Sequence, residues 1–166
     1  MFSRILVPID FSPASDAALQ YARALADKFG SSLQLLHVIE EPTVSSDFVA
    51  DGFAPGTDGI REALLAQARA SLSRLVNATD RAHGLVRVDV VMGAPASAIV
   101  DYARATGAHL IVMGTHGRTG LAHLLMGSVA EHVVRTAPCA VLTARQVPVT
   151  ESETVVFGAH QMPLPA

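Results

Sequence analysis

The sequence predicts an α/β protein built on a five-stranded parallel sheet with helices on both faces. Short apolar runs rich in β-branched residues recur five times along the chain, and stretches with apolar residues at helical spacing separate them. Glycine or proline marks most of the junctions. Strands that alternate with helices are joined by right-handed crossovers, which lay the strands parallel and cover the sheet on both sides.

Arg4 to Ile9 reads as the first strand, ending near Pro8, with Asp10 just past its carboxyl end. Ser12-Pro13 is a helix start, because serine caps and proline is tolerated at the first helical position. Ala18, Ala22, Leu25 and Phe29 give that helix a core stripe over about Ser12 to Phe29, and Gly30 supplies a left-handed stop. Leu33 to Ile39 is the second strand. The stretch from Glu40 to Asp58 holds Pro42, Gly52, Pro55 and Gly56 and reads as a connection longer than most. A second helix carries Ile60, Leu64, Leu65, Ala68, Leu72 and Leu75 to about Ala82, with Gly84 as its stop.

Val86 to Met92 alternates and reads as a third strand at an edge. Gly93-Ala94-Pro95 opens a helix that runs to Gly107. Leu110 to Met113 is the fourth strand, Ser128 to Arg135 the fourth helix, and Cys139 to Thr143 the fifth strand after Pro138. From Val147 onward there are three prolines and a polar run, Thr150 to Thr154, so residues 147–166 read as a frayed tail on a single domain of residues 1–146.

Composition narrows the function. The chain has 166 residues, half of them hydrophobic and 16% charged, with a formal net charge of −3 and a pI near 6.1. There is no basic footprint for nucleic acid and no apolar run of membrane-spanning length. The N-terminus enters a strand pattern directly, without the series of a signal peptide. A single cysteine, Cys139, cannot form an internal disulfide, and it reads as a small core residue on an apolar strand. The expected location is the cytoplasm. His116, His123 and His132 lie close in sequence but lack the spacing of a zinc site, so no metal ligand is expected.

The stretch from Leu110 to Ser128 carries the chemistry. A buried strand breaks at Gly114, Gly117 and Gly120 before a helix resumes at Ser128. Glycines let backbone N–H groups approach an anion, and a helix N-terminus adds unpaired donors and a favourable dipole. The unit reads as a phosphate cradle. Neither a G-x-G-x-x-G after a strand nor the Gly-Lys-Ser/Thr of a P-loop is present, since the only lysine is Lys28. Gly114 and Gly117 are separated by two residues, and Gly117 and Gly127-Ser128 by nine.

This spacing resembles the Gly-x2-Gly-x9-Gly-Ser/Thr signature of the universal stress protein family, in its ATP-binding branch. Val112 to Leu121 and Gly127 to Glu131 are also similar to that family. The resemblance covers about residues 3 to 145, and it departs at His109, where the family commonly shows aspartate. It implies a three-layer, Rossmann-like open sheet of strand order 3-2-1-4-5, whose reversal lies between strands one and four.

Ligands of such sheets bind beyond the carboxyl ends of strands at the reversal. The resemblance then implies the site. Pro8, Ile9 and Val38 would line an adenine slot, and Asp10 would hydrogen-bond the adenine or ribose edge. Met113 and Gly114 would flank the sugar. Gly117, Arg118, Gly127, Ser128 and Val129 would hold the phosphates of ATP, which could bring Mg2+ or Mn2+ with them. Flat apolar walls suit a purine, and N–H groups, a hydroxyl and a guanidinium suit oxyanions. Plainer readings stand beside these: Asp10 can begin an Asx-turn, Val38 can be core, and Arg118 can be a solvated loop tip.

The function implied is a nucleotide-dependent regulatory module of the stress response, acting through an unidentified protein partner. The alternative is a slow ATP hydrolase or other nucleotide-using enzyme, which needs a base or metal-binding acid aimed at the phosphates; none is evident in the loop. The last strand, with Val141, Leu142 and Thr143, falls at an edge in the implied order, and the resemblance implies a homodimer in which two such strands meet antiparallel.

Overall fold

Side chains on the central strands alternate between two separate apolar clusters, and this alternation sets the architecture. The computed structural model describes residues 2–40, 57–82, 86–115 and 126–145. Five strands, β1 (Arg4–Pro8), β2 (Ser32–Ile39), β3 (Val86–Met92), β4 (Leu110–Gly114) and β5 (Ala140–Ala144), form one sheet. Their order is β3-β2-β1-β4-β5, and every pairing is parallel. The expected fold class and strand order are those observed.

The five helices among the described residues are α1 (Pro13–Phe29), α2 (Thr57–Arg74), α3 (Ala78–Ala82), α4 (Pro95–Thr106) and α5 (Ser128–Thr136). Ile5 and Val7 of β1 face one side of the sheet, where Ala18, Leu19 and Ala22 of α1 and Leu72 of α2 cover them. Leu6 faces the other side, where it meets Ile99, Val100 and Ala103 of α4 and Ala130 and Val133 of α5. A parallel strand buried on both faces reads as continuous apolar sequence, which is why β1 and β4 were legible as unbroken runs. The result is three layers.

α1 begins as its sequence dictates. The Ser12 hydroxyl accepts from Ser15 N–H, Pro13 occupies the first turn, and Gly30 ends the helix at φ 65. The single helix expected from Ile60 to Ala82 is two helices. Asn77 Oδ1 accepts from Asp80 N–H while Asp80 Oδ2 accepts from Asn77 N–H, a reciprocal cap that starts α3 and stops continuation from α2. Arg23 of α1 then donates to both Asp80 oxygens and to the Leu75 carbonyl, pinning the break against α1. Apolar periodicity ran through this break because Leu72 and Leu75 pack on the same cluster.

Two further bounds move. α2 starts at Thr57, inside the stretch assigned to the loop. β5 starts at Ala140, one residue after Cys139, and ends at Ala144 opposite Gly114. His109 precedes β4 at the amino edge of the sheet, its Nδ1 hydrogen-bonded to Ser3 Oγ at 2.9 Å. Gly84, residues 41–56 of the long connection and the tail from residue 147 lie outside the described residues.

Candidate functional site

Because β1 pairs with β2 on one side and β4 on the other, the crossovers leaving β1 and β4 depart to opposite faces and leave a crevice at the strands' carboxyl ends. A cavity of about 550 Å³ sits there. Pro8, Ile9 and Asp10 enter it from the end of β1, and Met113, Gly114 and Thr115 from the end of β4. The end of β2 contributes Leu36 to Glu40, among them Val38. Gly127, Ser128, Val129 and Ala130 come from the start of α5. The fold thus gathers nine of the eleven residues nominated from sequence, leaving Gly117 and Arg118, which lie outside the described residues.

The floor is apolar. Leu36, Ile99 and Met113 are buried members of the cluster on the α4–α5 face, and Val38 packs against them, so Val38 is both core and cavity wall. Pro95 and Ile99 of α4 were not nominated from sequence, although Gly93-Ala94-Pro95 marks a helix start at the carboxyl end of β3, where such a wall belongs. Ser15 and Thr115 were missed as well: Thr115 enters directly after Gly114 at the end of β4, and Ser15 is brought in by the first turn of α1.

Asp10 makes the turn that the plainer reading described, and it also lines the cavity. Its Oδ1 accepts from Ser12 N–H at 3.0 Å and from Ser12 Oγ–H at 2.6 Å. Phe11, between them, adopts φ 62, a left-handed conformation rare for a bulky residue. Its ring lies 4.8 Å from the His37 imidazole, whose Nδ1 donates to the Ile9 carbonyl at 2.7 Å.

The start of α5 has the character expected of an anion site. Its N-cap, Gly127, offers no side-chain cap, whereas Ser12 caps α1. The residues of the first turn of α5 line the cavity, and no side chain caps that turn. Gly127 N–H donates to the Thr115 carbonyl at 2.7 Å, and Thr115 N–H donates to the Ala144 carbonyl of β5 at 2.9 Å. Gly114 has a packing reason to be glycine, since a β-carbon there would lie 2.9 Å from both the carbonyl carbon and the β-carbon of Ala14 in α1.

Among the described residues Asp10 and Glu40 line the cavity and no lysine or arginine does. Among the described residues no group of three or more histidine, cysteine or acidic side chains could hold a metal ion. Among the described residues the groups with clearly shifted acidity lie elsewhere. Tyr102 is raised by burial and by its hydrogen bond to Asp89, and Cys139 is raised by burial against a smaller opposing backbone hydrogen bond from Ile111.

Fold and site together define an open α/β protein with a ligand cavity at the reversal of its sheet. A model of the universal stress protein family matches residues 1–145, and the chain belongs to that family. It is 31% identical over 146 residues to universal stress protein MJ0531 of Methanocaldococcus jannaschii, covering 88% of this chain and 84% of that one. It is 33% identical over 154 residues to universal stress protein YxiE of Bacillus subtilis, covering 87% and 100%. The solved structure of MJ0577, also from Methanocaldococcus jannaschii, superposes with a TM-score of 0.74 at 29% identity, covering 89% and 98%. A universal stress protein crystallised in complex with cAMP shares the fold, with a TM-score of 0.58 at 23% identity.

Proposed function

We propose that this universal stress protein binds ATP in the cavity between β1 and β4 and acts as a nucleotide-dependent regulatory module in the stress response, through a protein partner. The observation that carries the reading is the α5 N-terminus, without a side-chain cap, facing an apolar-walled cavity at the sheet's reversal. The volume of about 550 Å³ falls in the range of small-ligand sites. Leu36, Val38, Ile99 and Met113 supply a flat apolar wall for the purine. Gly127, Ser128 and Val129 supply donors for the phosphates. That a fold relative was crystallised with cAMP supports the adenine-nucleotide class.

Among the described residues two carboxylates and no cationic side chain line the cavity, which opposes a bare polyanion. In this reading the charge is met by Arg118 and by Mg2+ or Mn2+ carried on the phosphates. Residues 1–146 form the binding domain, 147–166 are an appended tail, and the protein works in the cytoplasm as a homodimer joined at β5. Denaturing extraction of freshly purified protein, followed by chromatography, tests the ligand. Adenine nucleotide at a substantial fraction of the protein concentration is expected from the wild type, and a clear reduction from Ser128→Ala. A wild type free of nucleotide that also fails to take up ATP from solution contradicts the proposal.

A further inference from the structure

The turn before α1 ties three residues into a directed chain of hydrogen bonds that ends in the cavity. Ser15 N–H donates to Ser12 Oγ at 3.2 Å, and Ser12 Oγ–H donates to Asp10 Oδ1 at 2.6 Å. Ser12 N–H donates to the same oxygen at 3.0 Å. Ser12 is 4% exposed, so water does not compete for these bonds. Phe11, between Asp10 and Ser12, stands at φ 62, where a non-glycine residue is strained by roughly 1–3 kcal/mol. Asp10 lines the cavity, and among the described residues nothing hydrogen-bonds its Oδ2.

We propose that Ser12 is a positioning residue: by holding Oδ1 of Asp10 with its amide and its hydroxyl, it presents Oδ2 to the cavity as a fixed acceptor for a hydrogen-bond donor of the bound nucleotide. The inference rests on the nucleotide reading above. The ligand's donor is a ribose hydroxyl or the exocyclic amine of the base. Both offer the same chemistry to a carboxylate, and a fixed carboxylate favours either over an analogue that lacks it. Preorientation matters because an aspartate free to rotate loses part of the bond's value to the ordering it must undergo on binding. The Ser12 hydroxyl has a single proton, and that proton goes to Asp10; its lone pair takes the Ser15 amide. Capping α1 and aiming Asp10 are therefore two jobs of one oxygen.

The test measures dissociation constants of the full chain for ATP, 2′-deoxy-ATP, 3′-deoxy-ATP and inosine triphosphate. In the wild type, one analogue binds about 10- to 100-fold more weakly than ATP, the value of a hydrogen bond to a charged group. The deoxy arms mark a ribose hydroxyl as the donor, and the inosine arm marks the amine. In Ser12→Ala, ATP weakens while that analogue does not, so the ratio collapses to about threefold or less; Ser12→Thr, which keeps the hydroxyl, restores it. Loss of a helix cap lowers the melting temperature in Ser12→Ala but leaves such a ratio unmoved. An unchanged ratio in Ser12→Ala therefore overturns the inference, as does a wild type that binds all four nucleotides alike. A wild type that binds none of them refutes the nucleotide reading itself, and this inference with it.

Discussion

Gly114 is the residue at which fold and site compete most directly for space. A β-carbon there would sit 2.9 Å from two atoms of Ala14, one of them backbone, so the first turn of α1 must give way. Gly114→Ala is expected to cost about 1–3 kcal/mol in denaturant unfolding, the usual price of overpacking. It should also weaken ATP, because Ser15 of that same turn lines the cavity. Cys139 makes a second residue-scale prediction. Burial holds its thiol above the ordinary range, so at pH 8 a smaller fraction is thiolate than in a free cysteine. Its reaction with a disulfide reagent should be slower in the native protein than in urea, and equal rates would contradict the assignment. Sequence nominated Gly114 for approach to a ligand and could not see the contact with Ala14, which arises only from the crossing of α1 over β4. Asp10 was legible as either a turn residue or a ligand contact; the hydrogen bonds to Ser12 make the turn without withdrawing Asp10 from the cavity.

Elements were legible wherever one apolar period and one stop signal agreed. α1 is such a case, with Ser12, Pro13 and Gly30 in place. The break between α2 and α3 was not, although its signal stands in the sequence as Asn77-Ala78-Thr79-Asp80, a cap pattern masked by the apolar run across it. Arg23 holds that break through the nearly buried Asp80. Arg23→Met leaves the carboxylate without its guanidinium and is expected to cost about 3 kcal/mol, the lower end for breaking a buried pair, since Asp80 keeps its bond from Asn77. Urea unfolding measures this, and a loss under 1 kcal/mol would mean that the pair adds little to the α1–α3 contact. The α4 wall of the cavity was missed for a different reason: Ile99 reads as ordinary helix core, and nothing local says that its strand partners end beside it.

At the scale of the molecule, the sheet leaves β3 and β5 at its edges. Among the described residues no strand pairs with the outer side of β5, which carries Leu142 at 39% exposure beside half-buried Val141 and Thr143, and such an edge is normally covered or paired. A homodimer is expected by light scattering at micromolar concentration, and Leu142→Pro should shift it to monomer by removing a backbone donor. No helix among the described residues is long and apolar enough to cross a membrane. Strand order itself was not in the residue pattern, because periodicity identifies strands but not neighbours; it came from the family's likeness and is the observed order.

Whether the start of α5 holds phosphates is decided by titration calorimetry of ATP and adenosine against wild type and Gly127→Val. Gly127 has φ −74, open to any residue, so valine is tolerated by the backbone and acts mainly by obstructing the approach of a ligand. With Mg2+ present, the wild type should bind ATP at least tenfold more tightly than adenosine, and chelation of the metal should erode that advantage. Gly127→Val should abolish most of it while lowering the melting temperature little. Equal affinities of wild type for ATP and adenosine, unchanged in Gly127→Val, would contradict the claim and leave the glycine-rich stretch a structural turn.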